Sequence, residues 1–160
     1  MDEPIEKIIS GGQTGVDRAA LDVAMELGIP CGGWCPQGRR AEDGRIPEHY
    51  PLQEASSKEY PLRTRLNVED SDGTLVLTSG NPTGGTALTL KLARQLHKPF
   101  LLVDLARDAN PSVLRPWLQE NHILILNIAG PREGESSGIY GQASAFLRKA
   151  LTQSFPGASR

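Results

Sequence analysis

Short runs of continuous apolar character alternate along this chain with stretches whose apolar residues recur at helical spacing, the pattern of buried parallel strands joined by crossover helices. The first run, Ile5 to Ile9, ends in Ser10-Gly11-Gly12. After Thr14, the residues Val16, Ala20, Val23, Ala24 and Leu27 fall on one helical face, and Gly28 stands where a left-handed C-terminal cap belongs. A short strand is predicted around Pro30 to Trp34, followed by a long loop rich in glycine, arginine and acidic residues. Tyr60 to Glu69 predicts a helix and Gly73 to Thr78 a buried strand; Thr86 to His97 and Pro99 to Val103 repeat the pair. Pro111 to Glu120 predicts another helix, His122 to Ile128 a near-continuous apolar strand, and Ile139 to about Ser154 a last helix. The alternation predicts the α/β class: a single Rossmann-like three-layer αβα domain over residues 1–154 with a mainly parallel sheet, and a frayed tail over 155–160.

Composition narrows the function. The formal net charge of -2 gives no broad basic field of the kind that non-specific nucleic-acid binding needs, so an anionic ligand must be held locally. No apolar run approaches the length of a membrane span and no basic-apolar leader opens the chain, so the expected setting is cytoplasmic, with neither nucleic acid nor membrane as a partner. Cys31 and Cys35 have no second thiol pair with which to hold zinc, and His49, His97 and His122 lack ligand spacing; two reduced thiols and no metal site are expected.

Glycine, 17 of 160 residues, is clustered. Three clusters fall in loops at strand carboxyl ends, Ser10 to Thr14, Thr78 to Thr86 and Ala129 to Gly138, the edge where open α/β sheets bind ligands. In the first, Gly11, Gly12, Gln13, Thr14 and Gly15 lead into a helix whose unpaired N–H groups and partial positive charge suit an anion. The second offers Ser79, Gly80, Thr83, Gly84, Gly85 and Thr86 at another helix start. No Gly-Lys-Ser/Thr follows the first loop, so it is not a P-loop, and its glycines miss the Gly-x-Gly-x-x-Gly dinucleotide form.

Around these loops stand further candidates. Asp17 and Arg18 lie in the first turn of the first helix, where Asp17 also complements the helix dipole. Trp34 has a ring suited to stacking on a pterin or purine. Arg39, in a glycine-flanked charged run, is the expected phosphate contact. Glu42 and Asp43 can bind a cation, order that loop by pairing with Arg39 or Arg45, or do little; adjacent carboxylates alone do not establish acid–base catalysis.

The runs Ser-Gly-Gly-Gln-Thr-Gly-Val-Asp-Arg-Ala-Ala-Leu at 10–21 and Gly-Gly-Trp-Cys-Pro-Gln-Gly-Arg-Arg-Ala-Glu-Asp-Gly at 32–44 resemble the molybdenum carrier family. So do Arg-Thr-Arg-Leu-Asn-Val-Glu-Asp-Ser-Asp-Gly-Thr at 63–74 and Gly-Asn-Pro-Thr-Gly-Gly-Thr at 80–86, and the similarity spans roughly residues 5 to 150. That family is related to Rossmann-like nucleotide hydrolases that activate cytokinins, once labelled lysine decarboxylases, whose Pro-Gly-Gly-x-Gly-Thr-x-x-Glu motif supplies a catalytic glutamate. The counterpart here, Pro82 to Thr89, is shorter and ends in Thr89 where the glutamate would stand, a departure that argues against hydrolysis. In those hydrolases an arginine in a similar helix points toward the nucleotide; the resemblance carries this to Arg65, with Arg63 as the competing choice.

The function expected is a carrier of molybdenum cofactor, or of a similar phosphorylated pterin or nucleotide, held by backbone amides, the hydroxyls of Thr14, Ser79, Thr83 and Thr86, and Arg39. The resemblance further implies a homo-oligomer and a molybdoenzyme as acceptor. A nucleotide-processing enzyme of the N-glycosidic hydrolase type and a nucleotide-sensing domain are the alternatives.

Overall fold

The computed structural model describes residues 4–154, so the tail expected over 155–160 lies outside the described residues. Strand β1 (Lys7–Ile9) leads into helix α1 (Val16–Glu26), and the chain returns as β2 (Cys31–Gly32). Four two-residue strands follow, β3 (Trp34–Cys35), β4 (Arg40–Ala41), β5 (Gly44–Arg45) and β6 (Gln53–Glu54). Helix α2 (Tyr60–Asp70) precedes β7 (Gly73–Thr78), α3 (Gly84–Gln95) and β8 (Phe100–Asp104). The chain closes with a 3-10 turn (Pro111–Val113) running into α4 (Leu114–Glu120), then β9 (Ile125–Ala129) and α5 (Ile139–Ser154).

The central sheet has the order β2-β1-β9-β7-β8, and every pairing in it is parallel. Parallel strands buried on both faces need side chains that are apolar throughout, and all six residues of β7 are buried. Helices α1, α4 and α5 cover one face through the main core, built on Ile8, Val16, Ala20, Leu75, Leu126 and Leu147. Helices α2 and α3 cover the other, where Val68, Leu92 and Ala93 pack together. This is the expected three-layer Rossmann-like arrangement. Among the described residues no helix is long and apolar enough to cross a membrane.

Three boundaries differ from the sequence pattern for local reasons. The strand expected over 30–34 is split at Gly33, whose φ is +131° and where a Cβ would lie 2.2 Å from the Ser10 carbonyl oxygen. The chain there leaves the central sheet and pairs in parallel with β6 instead. The strand expected from His122 starts only at Ile125: His122 has a φ of +53°, and Asp72 Oδ2 accepts the N–H groups of Leu124 at 3.0 Å and Ile125 at 2.8 Å, closing the strand's entry. Helix α3 starts at Gly84 rather than Thr86, which brings both glycines of the second loop into its first turn.

The long loop after β2 is ordered by burial. Leu21, Cys35, Ala41, Ile46 and Tyr50 form a small core of their own against α1. Within it Arg39 is buried, its guanidinium donating to the carbonyls of Ile46 (3.0 Å), Pro47 (2.7 Å), Tyr50 (2.9 Å) and Leu52 (3.4 Å).

Candidate functional site

β1 feeds α1 onto one face of the sheet and β7 feeds α3 onto the other, with β9 between them. The connections diverge at the carboxyl ends of these strands and leave a crevice, as the switch-point rule requires. There the structure has a cavity of about 290 Å³ lined by the first loop, the starts of α2 and α3, the end of β9 and the loop beyond it. That volume is at the lower end of the range for small-molecule sites, roughly 300–1,000 Å³.

Asp17 and Arg63 share one wall. Arg63 Nη1 donates to Asp17 Oδ2 at 3.2 Å, and both side chains are about nine-tenths buried. Gly11 is what lets the arginine in: a Cβ there would stand 1.7 Å from Nη1. Asp17 Oδ2 also accepts the Gln13 N–H at 3.3 Å, whereas Arg63 Nε is buried with no hydrogen-bond partner among the described residues. Burial holds the Asp17 carboxyl above its ordinary value and outweighs the opposing pull of Arg63 and the Gln13 N–H. Arg63 is the cationic hydrogen-bond donor on this wall of the cavity.

The opposite wall is the first turn of α3. Gly84, Gly85, Thr86 and Thr89 line the cavity. The leading N–H groups of any helix lack intrahelical acceptors, and a Cβ added at Gly85 would meet nothing within 4 Å. Backbone donors and the positive end of the helix dipole are thus uncovered on that side. Thr89 donates its hydroxyl to the Gly85 carbonyl at 3.0 Å. Of the other residues expected here, Thr83 stands exposed at the N-cap position of α3 without a side-chain capping bond, and Ser79 is exposed. Gly80 gives its N–H to Asp104 Oδ1 at 2.9 Å. None of the three lines the cavity.

The first loop faces the cavity only with Gly11, Gln13 and Asp17. The start of α1, expected to receive an anion, is closed. Val16 N–H donates to the Pro131 carbonyl at 3.2 Å, and a Cβ on Gly15 would lie 2.4 Å from that same oxygen. Thr14 accepts the Glu133 N–H at 3.2 Å and donates its hydroxyl to Glu42. Glu42 also accepts the Gly134 N–H at 2.8 Å and pairs with Arg132 Nε at 3.0 Å, so one carboxylate ties the first loop to the third. Asp43 makes a two-pronged pair with Arg18 at 2.6 and 2.9 Å. The two acids therefore order the loop, as one sequence reading allowed, through Arg132 and Arg18 instead of Arg39 and Arg45. Glu42→Gln is expected to cost about 1–2 kcal/mol by weakening charge-assisted bonds and to speed amide exchange at Gly134. Unchanged exchange there would remove Glu42 from this role.

Three residues expected at the ligand do not line this cavity. Arg39 does not reach the cavity, because four carbonyls take up its guanidinium. Arg65 projects from the outer side of α2, half-exposed and paired with Glu69 at 2.7 Å; the competing choice, Arg63, lines the cavity. Trp34 lies outside it, its indole Nε1 donating to Asp70 Oδ2 at 2.7 Å. Gly12 points the other way as well, since a Cβ there would press on Leu52 at 2.5 Å and Ile46 at 3.0 Å. Sequence reasoning did not single out Tyr60, Thr64, Asn127, Arg132 and Glu135, all of which line the cavity.

The comparisons with known proteins agree with this architecture. Residues 8–151 match the model of the circularly permutated YpsA SLOG family. A crystal structure from Syntrophus aciditrophicus SB, of a protein described as a "putative molybdenum carrier protein", superposes with a TM-score of 0.91 at 49% identity, covering 94% of this chain and 98% of that one. A search of curated proteins returns no match.

Proposed function

Because the chain belongs to the circularly permutated YpsA SLOG family, and its 49%-identical structural match is described as a molybdenum carrier, we propose that it binds and carries a phosphate-bearing pterin, molybdenum cofactor, or a similar nucleotide-like ligand in this cleft. The observation that carries the reading is the pairing of two complementary donors across one cavity. On one side is the Arg63 side chain, which lines the cavity; on the other, the glycine-faced start of α3. A phosphate placed between them receives charge-assisted and backbone hydrogen bonds without any side chain having to be displaced from Gly85. Among the described residues no group of three or more His, Cys, Asp or Glu side chains is placed to hold a metal ion. Molybdenum as cargo would accordingly travel on its organic cofactor, handed on to an acceptor molybdoenzyme, rather than on protein ligands.

Binding by backbone donors needs no covalent step, and a carrier must let its ligand go, which suits neutral donors assisted by a single arginine. The test is native mass spectrometry of freshly purified protein, followed by anaerobic calorimetric titration with molybdenum cofactor, molybdate, AMP and ADP. Binding of the pterin without turnover supports the carrier. Release of free base from a nucleotide would move the assignment to hydrolysis, with Asp17 or Glu135 as the carboxylate in reach.

Gly85→Ala separates binding from folding. Its φ is not in the left-handed region and its Cβ has open space, so the exchange should stabilise α3 by about 0.5–1 kcal/mol. The same methyl stands between the helix start and the ligand, and phosphorylated ligands should bind at least tenfold more weakly, a loss of about 1.4 kcal/mol. Full affinity in this variant would place the phosphate elsewhere.

A further inference from the structure

A second cavity, of about 310 Å³, lies at the opposite end of the sheet, by the starts of β1 and β9, between the last turn of α2 and the small β3–β6 sheet. Its lining comes directly from the register. Lys7 pairs with Ile125 across β1 and β9, and Lys7 and Ile9, two residues apart on one strand, project to the same face. Buried Ile9 and half-buried Ile125 and Trp34 give it apolar surface, and the exposed side chains of Lys7, Asp70 and Gln53 give it polar surface.

Trp34 is a fixed wall of this cavity. Asn67 clamps its backbone, accepting the N–H at 2.8 Å and donating to the carbonyl at 2.9 Å, while Asp70 holds the indole N–H. A tryptophan held by its backbone and by its indole N–H loses little freedom when a ligand packs on it. The two charged groups are of opposite sign and do not bridge each other; the Lys7 ammonium forms no ion pair or hydrogen bond among the described residues, and Asp70 accepts only the indole N–H.

We infer that this cavity is a second small-molecule site, taking a zwitterion of the free amino-acid type, its carboxylate on Lys7, its ammonium on Asp70 and its apolar body against Trp34, Ile9 and Ile125. A simple carboxylate or a simple amine answers only one of the two charges. The site shares no lining residue with the cleft, so it stands or falls independently of the carrier reading.

The test is calorimetry on the full chain with free L-amino acids one at a time, read in parallel by tryptophan emission. L-Leucine is compared with its two halves, isoamylamine and 4-methylpentanoate. At least one amino acid should bind with a change in emission that Trp34→Phe abolishes. Leucine should bind about tenfold more tightly than either half, and Lys7→Gln and Asp70→Asn should each weaken the amino acid by about tenfold or more. Cleft ligands should bind these two variants as they bind the wild type. No heat and no emission change from any amino acid at about 10 mM, well beyond a millimolar Kd, would overturn the site. So would equal affinity for leucine and its halves, or variants that bind as the wild type does.

Discussion

Arg63→Met should lose the phosphate affinity proposed for the cleft and about 3–5 kcal/mol of stability together, because it strands a buried carboxylate that the arginine now answers. The loss should depend on pH with a defined sign. Asp17 in the folded protein already titrates above its ordinary value, since burial outweighs Arg63 and the Gln13 N–H. Such a group contributes its stability below the unfolded value, 3.8, and loses it as pH rises through the folded value. Removing Arg63 deletes the largest opposing influence and pushes the folded value higher. The deficit of the variant should therefore be small in acid and widen as pH rises from about 4. Denaturant melts at a series of pH values measure it directly, and a deficit that is flat with pH would refute the account. Adding Asp17→Asn should recover part of the loss, because the two side chains share one interaction.

Gly15→Ala is expected to remove a large share of the total stability. Gly15 has φ +79° and ψ -129°, a conformation open to glycine and costly to alanine by about 1–3 kcal/mol. In addition the methyl would press on backbone on two sides, 2.4 Å from the Pro131 oxygen and 2.8 Å from the Glu133 nitrogen. Crowding of that kind adds about 1–3 kcal/mol, against a net stability on the order of 5–15 kcal/mol. Gly28→Ala is the control: its φ is +74°, yet nothing lies within 4 Å of the added carbon, so only the conformational term of about 1–2 kcal/mol applies. Equal thermal shifts for the two variants would show that the contact between the first and third loops contributes little.

The layered fold was legible because burial on both faces of a parallel sheet leaves a continuous apolar signature. Gly73–Thr78 and Ile139–Ser154 fall where the pattern puts them. His122 to Leu124 carry the same apolar signature as a strand, but a distant carboxylate, Asp72, sets where pairing begins, and hydropathy does not register it. The glycine loops were legible as places of close approach, though not what approaches. Gly11 makes room for an arginine, Gly15 for a neighbouring loop, and Gly85 opens on empty space. Arg39 looked like a ligand residue because it sits among glycines; its four carbonyl partners come from a loop whose path no periodicity describes. Arg63 and Arg65 stand two apart on α2, and only the packing of that helix against the first loop decides which of them turns inward. Tyr60, Thr64, Asn127 and Glu135 left no signal, since each is an ordinary residue for its element and enters the site by tertiary position alone.

The strand order β2-β1-β9-β7-β8 has a consequence for how the chain reaches this state. The central strand is the last in sequence: β9 pairs with β1 on one side and β7 on the other, and its partner in β1, Lys7 against Ile125, lies 118 residues back. Without β9, nothing joins β1–β2 to β7–β8 in one sheet, and the floor of the cleft is missing. Closure of so long a loop delays the reward of pairing and slows folding. The edges that β1 and β7 turn toward β9 are surfaces of the kind on which chains pair wrongly when left open, so the pairing of β9 completes the sheet and the proposed ligand site together.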